Sequence, residues 1–168
     1  MPQTDNAAPG VNPPAQTQGY VFNHTMLRIK DPEASLHFYT HVLGMELLER
    51  KDMPAGQFTL YFLARTENAA APTDDAERHA YRCAREGVLE LTHNWGTEDD
   101  PDAHYHNGND APQGYGHICF TVPDLAAAVA WMDENNVAFQ KRPEDGRMHN
   151  IAFVRDPDGY WIELVGRG

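Results

Sequence analysis

Residues 24–31, HTMLRIKD, and residues 117–124, HICFTVPD, decide the fold. Each stretch opens on a histidine, alternates along its length and reaches an aspartate seven positions later. The alternation predicts a half-buried strand, and an aspartate ahead of an apolar periodic run predicts a helix N-cap. In the first case Pro32 takes the first helical position. Leu36, Tyr39, Val42 and Leu43 follow at helical spacing until Gly44 supplies a C-cap. In the second case Leu125, Val129, Trp131 and Met132 carry a helix to about Glu134. Working outward, strands are expected over 20–30, 45–51, 57–64 and 87–94, and again over 115–122, 137–141, 150–155 and 160–165. The last two strands are joined by the turn Asp156-Pro157-Asp158-Gly159. Each half reads strand, helix, strand, strand, strand. The chain is therefore expected to be an α+β protein of two tandem βαβββ modules, an internal duplication.

Each half also ends in a strand with a glutamate after a glycine: GVLEL (87–91) and GYWIEL (159–164). Glu90 follows His24 by 66 residues and Glu163 follows His117 by 46. The excess in the first half nearly matches the polar, Ala-rich stretch 65–86, which is expected to be an insertion forming a surface excursion, helical around 77–85. The organisation is then a flexible arm at 1–19, a first module at 20–98 with the insertion, a linker at 99–114 and a second module at 115–168. The arm holds almost nothing to bury.

Composition removes several classes. The 168 residues carry a formal charge of −12, with a pI near 5.0. A nucleic-acid partner needs a basic footprint, so none is expected. No apolar run of spanning length exists, so no membrane is expected either. The N-terminus lacks a basic region followed by an apolar run, so no secretory leader is expected. Cys83 and Cys119 make no disulfide framework, and a cytoplasmic setting is expected.

Strands place side chains on alternate faces. His24, Met26 and Arg28 share one face, and His117, Cys119 and Thr121 share its counterpart. If the halves fold alike, His24, Glu90, His117 and Glu163 lie in matched places. They can converge on one cation, within a chain or across a dimer interface. Two imidazoles and two carboxylates suit a borderline divalent ion such as zinc, nickel, cobalt or iron(II). Either glutamate alone reads as solvent-facing, and a lone histidine as a satisfied core residue; the pairing by duplication changes that weight. The other seven of the nine histidines carry less. His37 and His41 are expected on the solvent face of the first helix. His104 and His106 lie in a polar loop, and His79, His93 and His149 have no counterpart.

The chain resembles glyoxalase I (lactoylglutathione lyase) of the vicinal oxygen chelate superfamily. The resemblance rests on NHTMLRIKDP (23–32), SLHFYTHVLGM (35–45), FTLYFLA (58–64), LELTHNWGTE (89–98), YHNGN (105–109), GYGHICFTVPD (114–124) and DPDGYWIEL (156–164). It covers nearly all of 20–165 and leaves out the arm. It implies a homodimer with active sites at the subunit interface. His24 and Glu90 would come from one subunit, His117 and Glu163 from the other, and the four would bind the metal. Eukaryotic zinc enzymes of the family often carry Gln at the position of His24. The arm and insertion are similar to the longer, zinc-type members, so zinc is expected, with nickel as the alternative. The implied reaction isomerises the methylglyoxal–glutathione hemithioacetal to S-D-lactoylglutathione through an enediolate, which detoxifies methylglyoxal. By similarity Glu163 is the main base and Glu90 serves the opposite substrate enantiomer. Arg28, Asn94, Lys141, Arg147 and Met148 would contact glutathione. Gln113 stands where the family often has Arg, so one carboxylate contact is lost or replaced there. Leu60, Phe62 and Phe153, with Met148, would line the apolar pocket, though all four also read as ordinary core.

Two other functions fit the same scaffold. Another superfamily isomerase, epimerase or dioxygenase is one; a dioxygenase iron site uses two His and one carboxylate, against four ligands here. A metal-free ligand-sequestering protein is the other, and it would contain no stoichiometric metal.

Overall fold

The structure, a computed structural model, describes residues 14–66 and 70–167. Residues 1–13 of the expected arm, and 67–69 of the insertion, lie outside the described residues. The elements run β1 (His24–Ile29), α1 (Pro32–His37), β2 (Glu46–Met53), β3 (Phe58–Ala64), α2 (Asp75–Cys83) and β4 (Val88–Asn94). They continue as β5 (His117–Val122), α3 (Leu125–Glu134), β6 (Phe139–Lys141), β7 (Ile151–Arg155) and β8 (Trp161–Gly166). Among the described residues the strands form two four-stranded sheets, ordered β1-β4-β3-β2 and β5-β8-β7-β6. The order is the same in both: the first strand of each half lies parallel to the last, and the other pairs are antiparallel.

The caps form as the sequence predicts. The Asp31 carboxylate accepts from the N–H groups of Glu33 and Ala34, and that of Asp124 accepts from Ala127. The helix expected over 33–43 changes character at Phe38. A π-helical turn, Phe38–Val42, follows α1, with the Leu43 N–H bonded to the Phe38 carbonyl at 3.1 Å. Thr40 Oγ1 occupies the Leu36 carbonyl at 2.7 Å, a side-chain bond that competes with the regular ladder. The wider turn lets Phe38, Tyr39 and Val42 all face inward, while His37 and His41 stay exposed as expected. The first strand begins later than the alternation suggests: Tyr20 and Phe22 are 78% and 80% exposed, and pairing starts at His24.

One core unites the halves. Leu27, Ile29, Leu89 and Leu91 of the first sheet belong to the same buried cluster as Ala152, Val154, Ile162 and Leu164 of the second. The turn Asp156-Pro157-Asp158-Gly159 fastens them further. Tyr39 Oη donates to Asp156 Oδ2 at 2.7 Å, and the Lys30 N–H donates to Asp158 Oδ1 at 2.9 Å. Because strand side chains alternate, the face opposite this core is left to His24, Met26 and Arg28 on β1 and to His117, Cys119 and Thr121 on β5, all exposed.

The described residues of 65–86 run mostly over the surface, with Thr66 and Arg82 buried. Helix α2, capped by Asp74, lies against the first sheet and buries Arg82. That guanidinium bonds Glu49 at 2.7 Å and sits 3.8 Å from the centre of the Phe62 ring. A charged residue is rarely buried unless paired, and here the pair and the aromatic face together take Arg82 out of water.

Candidate metal centre

The duplication carries through to atomic detail. In the first sheet Met26 is the register partner of Glu90, and Glu90 that of Phe62. In the second sheet Cys119 partners Glu163, and Glu163 partners Phe153. His24 Nε2 lies 3.2 Å from Glu90 Oε2, and His117 Nε2 lies 3.3 Å from Glu163 Oε2. Both histidine side chains are 39% exposed, and the glutamates are 14% and 18% exposed. Each imidazole meets a phenylalanine edge to face: Phe62 at 6.0 Å from His24, Phe153 at 5.1 Å from His117. The four expected ligands thus stand as two equivalent pairs, and among the described residues no three His, Cys, Asp or Glu gather into one group.

The donor set fits a metal ion. Each pair offers one neutral-capable nitrogen and one carboxylate oxygen, which suit zinc and its neighbours. Two donors to one ion at roughly 2.0–2.2 Å each stand about 3 Å apart, as these do. Cys119 stands in register with Glu163 at the place that Met26 takes beside Glu90 in the first sheet.

The remaining expected residues divide between the two faces. Arg28, pairing in register with Thr92, lies two positions beyond Met26 on the face of His24, with Leu60 and Phe62 on β3, across β4 from it. Asn94 ends β4 and donates to Tyr105 Oη at 3.3 Å. Lys141, Arg147, Met148 and Phe153 belong to the second sheet or the loop after β6. Lys141 Nζ donates to the carbonyls of Met148 and Arg142, at 2.7 and 3.0 Å, which ties down the loop that carries the exposed Arg147 and Met148. Gln113 lies in the linker and donates to the Asn109 carbonyl at 3.4 Å.

Sequence reasoning passed over Asn23. Its Oδ1 is 2.7 Å from His24 Nδ1, and its Nδ2 reaches the end of α2. The one signal available was an asymmetry: the residue before His24 is Asn, and the residue before His117 is Gly116. Of the histidines set aside, His93 is buried and bonds Glu98 at 2.7 Å, a structural pair. His37 and His41 stack on the surface at 4.9 Å.

Comparison with known proteins gives a consistent result. A family model described as the glyoxalase/bleomycin resistance protein/dioxygenase superfamily matches residues 21–164. The lactoylglutathione lyase of Pseudomonas aeruginosa is 57% identical, over 94% of this chain and 89% of that protein. The glyoxalase I of Saccharomyces cerevisiae is 48% identical over 92% of this chain, which spans only 46% of the yeast protein. Among solved structures, the trypanothione-dependent glyoxalase I of Leishmania major superposes with a TM-score of 0.65 at 34% identity. That match covers 88% of this chain and 86% of the other.

Proposed function

The chain belongs to the glyoxalase/bleomycin resistance protein/dioxygenase superfamily, and on that premise we propose that it is a lactoylglutathione lyase. It converts the hemithioacetal of methylglyoxal and glutathione to S-D-lactoylglutathione and so removes methylglyoxal. The observation that carries this reading is the pair of equivalent His–Glu sites, His24 with Glu90 and His117 with Glu163, in a chain 57% identical to a lactoylglutathione lyase.

The working site is formed by a homodimer, the first sheet of one protomer facing the second sheet of its partner. Two features support this. Each pair supplies half of a four-ligand set, and apolar side chains stand exposed near both: Phe22 and Met26 beside the first, Met148 on the loop beside the second. Exposed apolar groups of this size mark association surfaces. The ion held by the four residues is zinc, with nickel as the second candidate. When bound, the ion supplies Lewis-acid stabilisation of the charge that develops on two adjacent substrate oxygens.

The protein's own groups do the rest. Glu163 takes the proton from one substrate carbon and returns it to the neighbouring carbon, a general-base role suited to a half-buried carboxylate beside the reacting atoms. Glu90 does the same for the opposite enantiomer. Arg28 offers a guanidinium fork to a glutathione carboxylate, and Asn94, Gln113, Lys141, Arg147 and Met148 complete the glutathione site. Leu60, Phe62 and Phe153 exclude water around the reacting carbons. The enzyme acts in a reducing compartment, the cytoplasm, where the thiols Cys83 and Cys119 persist free.

The test is a spectrophotometric assay with methylglyoxal and glutathione on chelated protein, with zinc and nickel restored separately. Activity should return with at least one metal. No lactoylglutathione with either metal would overturn the assignment in favour of ligand sequestration.

A further inference from the structure

Asn23 ties together two parts of the chain about sixty residues apart. Its Nδ2 lies 2.8 Å from the Arg82 carbonyl, 2.8 Å from that of Arg85 and 3.4 Å from that of Cys83. Arg82 and Cys83 end α2 and Arg85 lies two residues beyond it; the Arg82 carbonyl also accepts from the Arg85 N–H at 3.2 Å. A carbonyl accepts and cannot donate, so the three of them fix which end of the amide is nitrogen. The Asn23 Oδ1 is then left against His24 Nδ1 at 2.7 Å. That oxygen can only accept, so the contact is a hydrogen bond when the ring carries a hydrogen on Nδ1. A neutral ring so held turns its Nε2 lone pair towards Glu90 Oε2, 3.2 Å away, an arrangement that a cation held between the two would favour. The second half is built otherwise. Gly116 precedes His117, five residues (156–160) rather than a helix join β7 to β8, and no described residue hydrogen-bonds His117 Nδ1.

We propose that Asn23 is a positioning residue for the metal centre. Held by the insertion helix α2, it fixes the tautomer and ring orientation of His24, so that His24–Glu90 is the preorganised half of the site. The insertion thereby acts on the chemistry without contributing a ligand. The inference rests on the metal-centre reading given above. Outer hydrogen-bond partners of this kind govern how well a histidine ligates.

Two measurements test it. In zinc-loaded wild type labelled with nitrogen-15 in histidine, the His24 ring shifts should report a hydrogen on Nδ1 and none on Nε2. In competition with a chromophoric chelator, Asn23→Ala should bind zinc about 10- to 100-fold more weakly. Asn23→Asp keeps an acceptor for Nδ1–H but loses the donor that α2 holds, so its zinc affinity should fall between those of wild type and Asn23→Ala. Circular dichroism confirms that each variant is folded. An Nε2–H tautomer in the wild type, undiminished zinc affinity in Asn23→Ala, or equal losses in both variants would overturn the proposal alone. Wild-type protein that binds neither zinc nor nickel would overturn the metal centre as well.

Discussion

Asp156 sits 5% exposed beneath the turn it begins. Burial pushes its carboxyl up to about 7, against the opposing pull of hydrogen bonds from Tyr39 Oη and the Tyr160 N–H. A carboxyl whose folded pKa is raised favours folding while protonated. Its contribution is complete below the unfolded carboxylate range and is lost as pH rises through about 7. Asp158 is shifted in the same direction, again chiefly by burial. Stability should therefore fall between about pH 4 and pH 7 by a few kcal/mol at this turn. Asp156→Asn can still accept the Tyr39 bond, and it should flatten that slope in urea midpoints measured across the range. At the metal centre, Glu163→Gln should lower kcat by roughly 10²- to 10⁴-fold, the usual worth of a general base, while zinc stays bound, more weakly, as measured by metal analysis. Near-normal turnover with metal bound would remove Glu163 from its role. All four expected ligands were legible because each had a partner at the same place in the other half. Asn23 was not, because it answers to backbone carbonyls 59 to 62 positions away, and a carbonyl has no residue identity to read.

Among the elements, α2 makes the contact that was hardest to foresee. A helix was expected around 77–85, two residues later than it forms, and the first half was expected to carry extra chain. The docking of α2 was not, since Arg82 on a polar helix reads as solvated until Glu49 and Phe62 are seen to enclose it. Arg82→Ala leaves Glu49 without a partner at a site where both side chains are mostly buried, 10% and 15% exposed. It should cost about 3 kcal/mol in chemical denaturation. Glu77→Ala, on the exposed side of the same helix, should change stability by less than about 0.5 kcal/mol. Equal small effects would mean that α2 is the loose excursion the composition suggests. The π-turn after α1 was hidden for a different reason. Helical spacing in the sequence cannot separate a regular turn from a widened one when Phe38, Tyr39 and Val42 are all apolar.

At the scale of the molecule, the decisive arrangement is one core behind two sheets, with a His–Glu pair on the outer face of each. If two protomers complete each other's sites, defects in different halves should compensate. A chain with His24→Ala and Glu90→Ala, and a chain with His117→Ala and Glu163→Ala, should each be inactive. Refolded together in equal amounts they should recover about a quarter of wild-type activity, because half the dimers are mixed and each mixed dimer has one intact site. A site completed within one chain would recover nothing. The duplicated order of strands was readable from two short stretches. The division of the ligands into separate pairs was left open by the residues themselves, which allowed convergence within a chain or across an interface, and was implied only by the family resemblance.

The turn 156–159 has a consequence beyond its own stability. Its two carboxylates hold Tyr39 and the Lys30 N–H, so a loop of the second repeat is riveted to the opening of the first helix. The repeats cannot pivot about the linker as beads on a string would. Each protomer presents its two half-sites like the jaws of a caliper locked at one setting. In the proposed dimer, the tolerance to which the two His–Glu pairs could meet around one ion would then be machined by a turn whose carboxylates bond none of the four residues.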